Sequence, residues 1–364
     1  MNYKEALFFI GKCLTLGHYP EKTDEIRKVI HSGSVIWEQV VWASTDQLVF
    51  TALHLQLKRA GLLPELPTDL VEYMEEFTSL NRERNNLIIA QANEISGLLN
   101  RHGIIPIFLK GTGHLLDGLY DDIGERQVGD IDILIRESDL SVAGEVLIRE
   151  GYVPVIKFDP NGQKVIRHYP RLQNNERTAA VELHFQIIIL SFYKPMDMGL
   201  IFKNSRMLHL PNQAAVMSNA HQIVYNILNV QILDNGYYYA KVFLRQIYDL
   251  LMLSERKNPL DAIKGFGKCF DQMNSDLALS DQILDHPGKI SFQSDWRVRL
   301  FLFRVTFKLD HPRWARFSNG LIYVWLRFVL YANYVIRSIY DSKVRSFFYK
   351  RICHPEWYVG HLKQ

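Results

Sequence analysis

The chain has 364 residues, 48% of them hydrophobic and 22% charged, which fits an ordinary globular protein and excludes a disordered, repetitive or low-complexity one. Its formal net charge of +3 is too small to point to a nucleic-acid partner. Three distant cysteines, Cys13, Cys269 and Cys353, exclude a disulfide framework and fit a reducing compartment.

The first residues, MNYKEALFFIGKCLTLGHYPEKTDE, place a glutamate inside a short apolar stretch and lack a small-residue cleavage site. They are not read as a signal peptide, and the expected location is the cytoplasm, with peripheral contact to a membrane as an open question. Residues 1–101 are expected to form a helical region. Apolar residues recur at helical spacing over 35–57, Pro64 and Pro67 punctuate the next stretch, and a long helix is predicted over 69–101 with Thr68 as N-cap and Gly103 as its stop. Arg82 and Arg84 are expected to make one side of it wet.

At Ile104 the period changes. IIPIFL (104–109) reads as a buried strand, 112–120 as a short helix, DDIGERQVG as a loop and IDILI (131–135) as a second strand. Ser138 is expected to cap a helix ending at Gly151. Two strands, 152–158 and 164–169, are predicted on either side of the turn 159–162, and AAVELHF (179–185) is a further strand. These elements make a small α/β core over 102–190. Helical periods return from residue 212, most clearly over 213–233 and 238–255, giving a C-terminal helical region over 191–364. The expected fold class is α+β, a small mixed sheet flanked by helical regions.

The chemistry is expected around LKGTGHLLDGLYDDIGERQVGDIDILI. Asp130 and Asp132 are two apart, so a strand puts both carboxylates on one face while Ile131 and Ile133 enter the core. Paired acids repel, and burying them costs several kcal/mol, about what a cation must offset. Magnesium suits them, since it takes oxygen ligands and keeps sites for phosphates. Glu182, between the core residues Val181 and Leu183, faces the same way if its strand lies beside that of Asp130, and the three acids then converge. Gly111 opens a helix whose N–H groups can receive phosphate oxygens, and Lys110, Thr112 and Arg126 stand close by.

This pattern resembles the nucleotidyltransferase superfamily, and more narrowly the bacterial group of uncharacterised nucleotidyltransferases. The resemblance runs over about 35–255 and is carried by Lys110-Gly111, Arg126, Asp130 with Asp132, Gly151-Tyr152, and Glu182 with His184, joined by His221 and by Arg245 and Asp249 in LRQIYDLLML. It implies an enzyme that uses Mg²⁺ or Mn²⁺ to move a nucleoside monophosphate from a nucleoside triphosphate to an acceptor hydroxyl, in surface polysaccharide or other biosynthesis. Asp130, Asp132 and Glu182 would be its catalytic and metal-binding residues. His184, His221, Arg245 and Asp249 are expected to support the site, the last three through a polar contact between helices. The turn departs from the superfamily's Gly-Ser or Gly-Gly, reading Lys110-Gly111-Thr112, and nineteen positions separate Gly111 from Asp130. The alternative is a non-catalytic nucleotide-binding or regulatory module. Addition to RNA shares the core, but no RNA-binding module is visible.

The C-terminal third lies outside the resemblance. From 295 to 351, twelve Lys and Arg stand against three Asp, a surface for an acidic partner or acidic lipid. Residues 319–340 are long and apolar, yet Arg327 in their middle costs about 2.5–3.5 kcal/mol on the insertion scale, which argues against a spanning helix. A helix buried in a C-terminal lobe is expected, with a helix lying on a membrane through 296–351 as the alternative. Cys353, His354 and His361 lack zinc spacing.

Overall fold

The computed structural model describes residues 1–155, 169–187, 196–286 and 288–340, with positions 342, 345 and 349 beyond them. The predicted turn 159–162, all of strand 164–169 but its last residue, and the Cys353–His361 cluster lie outside the described residues.

The chain opens with α1 (Tyr3–Cys13), whose cap is reciprocal: the Asn2 side chain accepts from the Glu5 N–H and the Glu5 carboxylate accepts from the Asn2 N–H. After α2 (Thr23–His31), the apolar stretch over 35–57 is two helices, α3 (Trp37–Asp46) and α4 (Phe50–Arg59). Leu48, at φ 55°, turns the chain between them. The long helix α5 (Thr68–Asn100) has Pro67 at its cap position and Thr68 already inside it.

The role of α5 is to hold the loops that lead into the site. Its buried Asn81 donates to the Gly124 carbonyl at 2.8 Å, and Asn85 to those of Ile123 and Arg126 at 2.6 and 2.7 Å. Gln91 brackets Ala179, donating to its carbonyl and accepting from its N–H at 2.8 and 3.0 Å. Arg84 and Arg82 are not merely a wet face: Arg84 donates to the carbonyls of Thr178, Val128 and Gly129, and Arg82 pairs with Asp122. Amides and guanidinium groups thus satisfy carbonyls that an irregular loop leaves unpaired.

Among the described residues, seven short strands form one mixed sheet in the order β3-β4-β5-β2-β1-β7-β6. They are β1 (Ile107–Phe108), β2 (Ile131–Leu134), β3 (Val153–Pro154), β4 (Leu172–Gln173), β5 (Val181–His184), β6 (Arg206–Met207) and β7 (Ala215–Val216). Central β2 runs antiparallel to β1 and parallel to β5. Helix α6 (Lys110–Leu116) follows β1, α7 (Leu140–Arg149) follows β2, and α8 (Met198–Lys203) precedes β6.

The 213–233 stretch begins as β7, and only then does Ser218 cap α9 (Asn219–Leu228), which continues as a π-helical turn over Asn229–Leu233. The 238–255 stretch is likewise split. Helix α10 (Gly236–Tyr239) stops at Ala240, φ 51°, and α11 (Leu244–Ser254) carries Arg245 and Asp249. Then come α12 (Pro259–Ile263), α13 (Phe270–Leu284), α14 (Trp296–Asp310) and α15 (Pro312–Tyr340). One apolar core runs from Ala6 on α1 to Val305 on α14. Where α1 crosses α13, a Cβ on Gly11 would sit 2.3 Å from the Ile283 carbonyl oxygen, so only glycine permits the approach. The expectation of a buried C-terminal helix is corrected: α15 has no buried residue. It packs beside α10 and α14 at half-buried positions, and its most apolar positions point elsewhere.

Helix α13 buries Asp276 against Gln231, which donates to it at 2.5 Å. Burial pushes this carboxyl up to about 7. The stability of the protonated group is complete below the unfolded pKa near 4 and is lost as pH rises toward 7. Asp276→Asn should therefore stabilise the protein by roughly 2–4 kcal/mol at pH 8 and by far less at pH 4. Urea unfolding at the two pH values tests this, and an equal effect at both would refute it.

Candidate metal and phosphate site

Strands β2 and β5 are in register, with Asp132 opposite Glu182 and Leu134 opposite His184. Ile131, Ile133, Val181 and Leu183 enter the core with no exposure. The period of two then sends Asp132, Glu182 and His184 to the other face. One ligand atom from each of these three lies within 4.8 Å of the others.

The carboxylates already have nitrogen neighbours. Nε2 of His184 and Nζ of Lys110 both stand 2.8 Å from Oδ1 of Asp132, and the same Nε2 is 3.5 Å from Glu182. Burial alone would raise the Asp132 pKa; the His184 hydrogen bond and the Lys110 charge outweigh it and hold the carboxyl at about 2. Burial would lower the Lys110 pKa, but neighbouring Tyr225, Asp132 and Glu182 lift it above the ordinary lysine value. Lys110 is also left-handed, at φ 49°, a conformation that costs a non-glycine residue about 1 kcal/mol or more.

Asp130 precedes β2 and stands apart from that trio. Its side chain, 30% exposed, accepts from Arg171 at 2.5 Å, and its carbonyl accepts from the Thr112 hydroxyl at 3.0 Å. Gly111 is buried at the start of α6, where a Cβ would meet Val128 at 2.9 Å. Arg126 is engaged elsewhere: its Nε and Nη2 bind the Asp249 carboxylate at 2.9 Å each, and its Nη1 donates to the Gln127 carbonyl at 2.6 Å. Tyr120 donates to the same carboxylate at 2.6 Å, and His114 lies 3.7 Å away.

Beside Lys110 is a small cavity walled by Arg126, Gln222, Asn229, Arg245 and Asp249. Arg245 is the unusual member. Among the described residues no carboxylate lies within 4 Å of its guanidinium, and burial, with the Arg126 charge beside it, lowers its pKa to about 10. His221 does not join the Arg245–Asp249 region; it pairs with Ser218 at 2.9 Å. Asn229, Arg245 and Gln246 also wall a larger cleft of about 780 Å³ that reaches Pro312, Ala315 and Asn319 on α15.

The model of a family described as uncharacterised nucleotidyltransferases matches residues 33–267. The chain belongs to that family. No curated protein and no solved structure matches this chain. The matched span includes every residue of the candidate site and ends ahead of α13.

Three features of the candidate site are not assigned by sequence. His184 shares a strand face with Glu182, a signal the period of two carries, yet the pattern alone gives it only a supporting place. Arg171, the partner of Asp130, has no local signature. That Arg245 has no carboxylate within 4 Å among the described residues goes with Asp249 being taken by Arg126, which only the packing of α11 decides.

Proposed function

We propose that this nucleotidyltransferase moves a nucleoside monophosphate from a nucleoside triphosphate to an acceptor hydroxyl, using Mg²⁺ or Mn²⁺ held by Asp132 and Glu182, with Asp130 as the third acid. The register that brings Asp132 and Glu182 together with His184 is the observation that carries this reading. The donor set fits a hard divalent ion: carboxylate oxygens suit magnesium, and manganese also accepts an imidazole nitrogen. That two N–H donors already converge on one Asp132 oxygen supports a place selected for positive charge. When bound, the ion would neutralise triphosphate charge and polarise the α-phosphoryl group.

The protein's own groups do the rest by positioning. Lys110 and Arg245 meet the β- and γ-phosphates from the cavity, and the N–H groups at the start of α6 add donors. The acceptor oxygen bonds to the α-phosphorus, the bond to the bridging oxygen breaks, and pyrophosphate leaves. Glu182 takes the acceptor's proton; Asp132, held at about 2, is too weak a base. Arg126 keeps Asp249 occupied, so Arg245 stays available to an anion.

Titration with Mn²⁺ and a non-hydrolysable triphosphate tests the reading. Triphosphate binding should require the metal, and Arg245→Gln should weaken it about 10–100-fold, the worth of a charged hydrogen bond. Binding indifferent to both metal removal and Arg245→Gln would refute it. Metal-dependent binding with no transfer of an α-phosphate label to any component of a lysate would favour a nucleotide-binding module.

A further inference from the structure

We propose that the outer face of α15 docks on an anionic lipid surface, with the helix lying in the plane of the interface. The helix is 29 residues long and buries none of them. Trp314, Phe317, Leu321, Val324, Phe328 and Val335 recur at intervals of three, four or seven residues and so share one face; Val324 and Phe328 are 65% and 70% exposed. The inner side is tied to the body through Lys308 donating to Asn319 at 2.8 Å, and Trp325, at the flank of the outer face, lies against Tyr238 at 5.3 Å. Apolar surface of this extent, held outward by a packed inner side, marks a docking site.

Charge selects the occupant. The helix carries Arg313, Arg316, Arg327 and Arg337 and no Asp or Glu. The same three-four spacing would suit pairing with a second copy, but that would set two cationic helices together with no acid on either to answer them. An anionic bilayer answers both features at once, accepting the aromatic face and attracting the arginines. A spanning role is excluded for this segment, since among the described residues no helix is long and apolar enough to cross a membrane.

Co-sedimentation of the full chain with vesicles tests the proposal. Binding to equal parts phosphatidylglycerol and phosphatidylcholine should exceed binding to phosphatidylcholine alone by at least about tenfold, and should weaken with added salt. The double variant Leu321→Glu/Phe328→Glu alters exposed positions only, so it should keep its circular dichroism spectrum and lose the vesicles. Equal binding to both vesicles, or binding to neither, would overturn the proposal. So would a concentration-dependent dimer in analytical ultracentrifugation that the double variant abolishes, because the face would then belong to a second copy.

Discussion

Asp132→Asn should lower Mn²⁺ affinity by on the order of 100-fold or more and destabilise the metal-free protein in the same stroke. In sequence, two acids one residue apart suggest repulsion that amidation would relieve. The structure reverses that sign for Asp132, whose Oδ1 is held by Lys110 and His184. Its folded pKa of about 2 lies below the unfolded value, so the carboxylate contributes stability that is present above pH 4 and lost as pH falls through 2, roughly 2–3 kcal/mol in all. The asparagine variant should be less stable at neutral pH, and its stability should vary less between pH 5 and pH 2. Asp130→Asn should do less to stability, because its pair with Arg171 is partly exposed. Mn²⁺ titration and urea unfolding at two pH values read both parts. Parental Mn²⁺ affinity in Asp132→Asn would remove the metal assignment.

A comparable loss is expected from Arg126→Met. The pair with Asp249 is buried at both ends, with side chains 6% and 2% exposed. Removing one partner leaves a buried charge unanswered, which costs about 3–5 kcal/mol. Asp249 would also be free to turn to Arg245, so triphosphate binding should weaken in whatever fraction remains folded. Asp249→Leu should be similarly costly, and the double variant Arg126→Met/Asp249→Leu should recover much of the stability, since both charges then leave together. Strictly additive losses across the cycle would show that the pair is not coupled.

How much of this is legible in sequence depends on the range of each interaction. The α+β class and the two strands that carry Asp132 and Glu182 follow from apolar alternation, which is local; that the strands lie side by side and parallel does not. Boundaries inside long apolar stretches are not legible: Leu48 and Ala240 break their helices at positive φ, and neither residue advertises a turn. Nothing local tells that Arg84 seeks carbonyls of two different loops, or that α15 keeps its aromatic side uncovered. Arg126 stands a few residues ahead of the acids, where position alone suggests a phosphate contact. Its partner Asp249 comes from a helix far along the chain, and pairing at that separation leaves no mark in spacing.

The pairing of Ile131 with Val181 through to Leu134 with His184 bears on which changes in chain length the molecule survives. A single residue gained or lost within β5 would reverse the alternation on one side of the change, exchanging polar groups for core over that part of the strand. Extra residues in the connection ahead of β4 leave that alternation untouched. Divergent copies of this chain should therefore vary freely in the length of that connection and keep the count within the two strands constant.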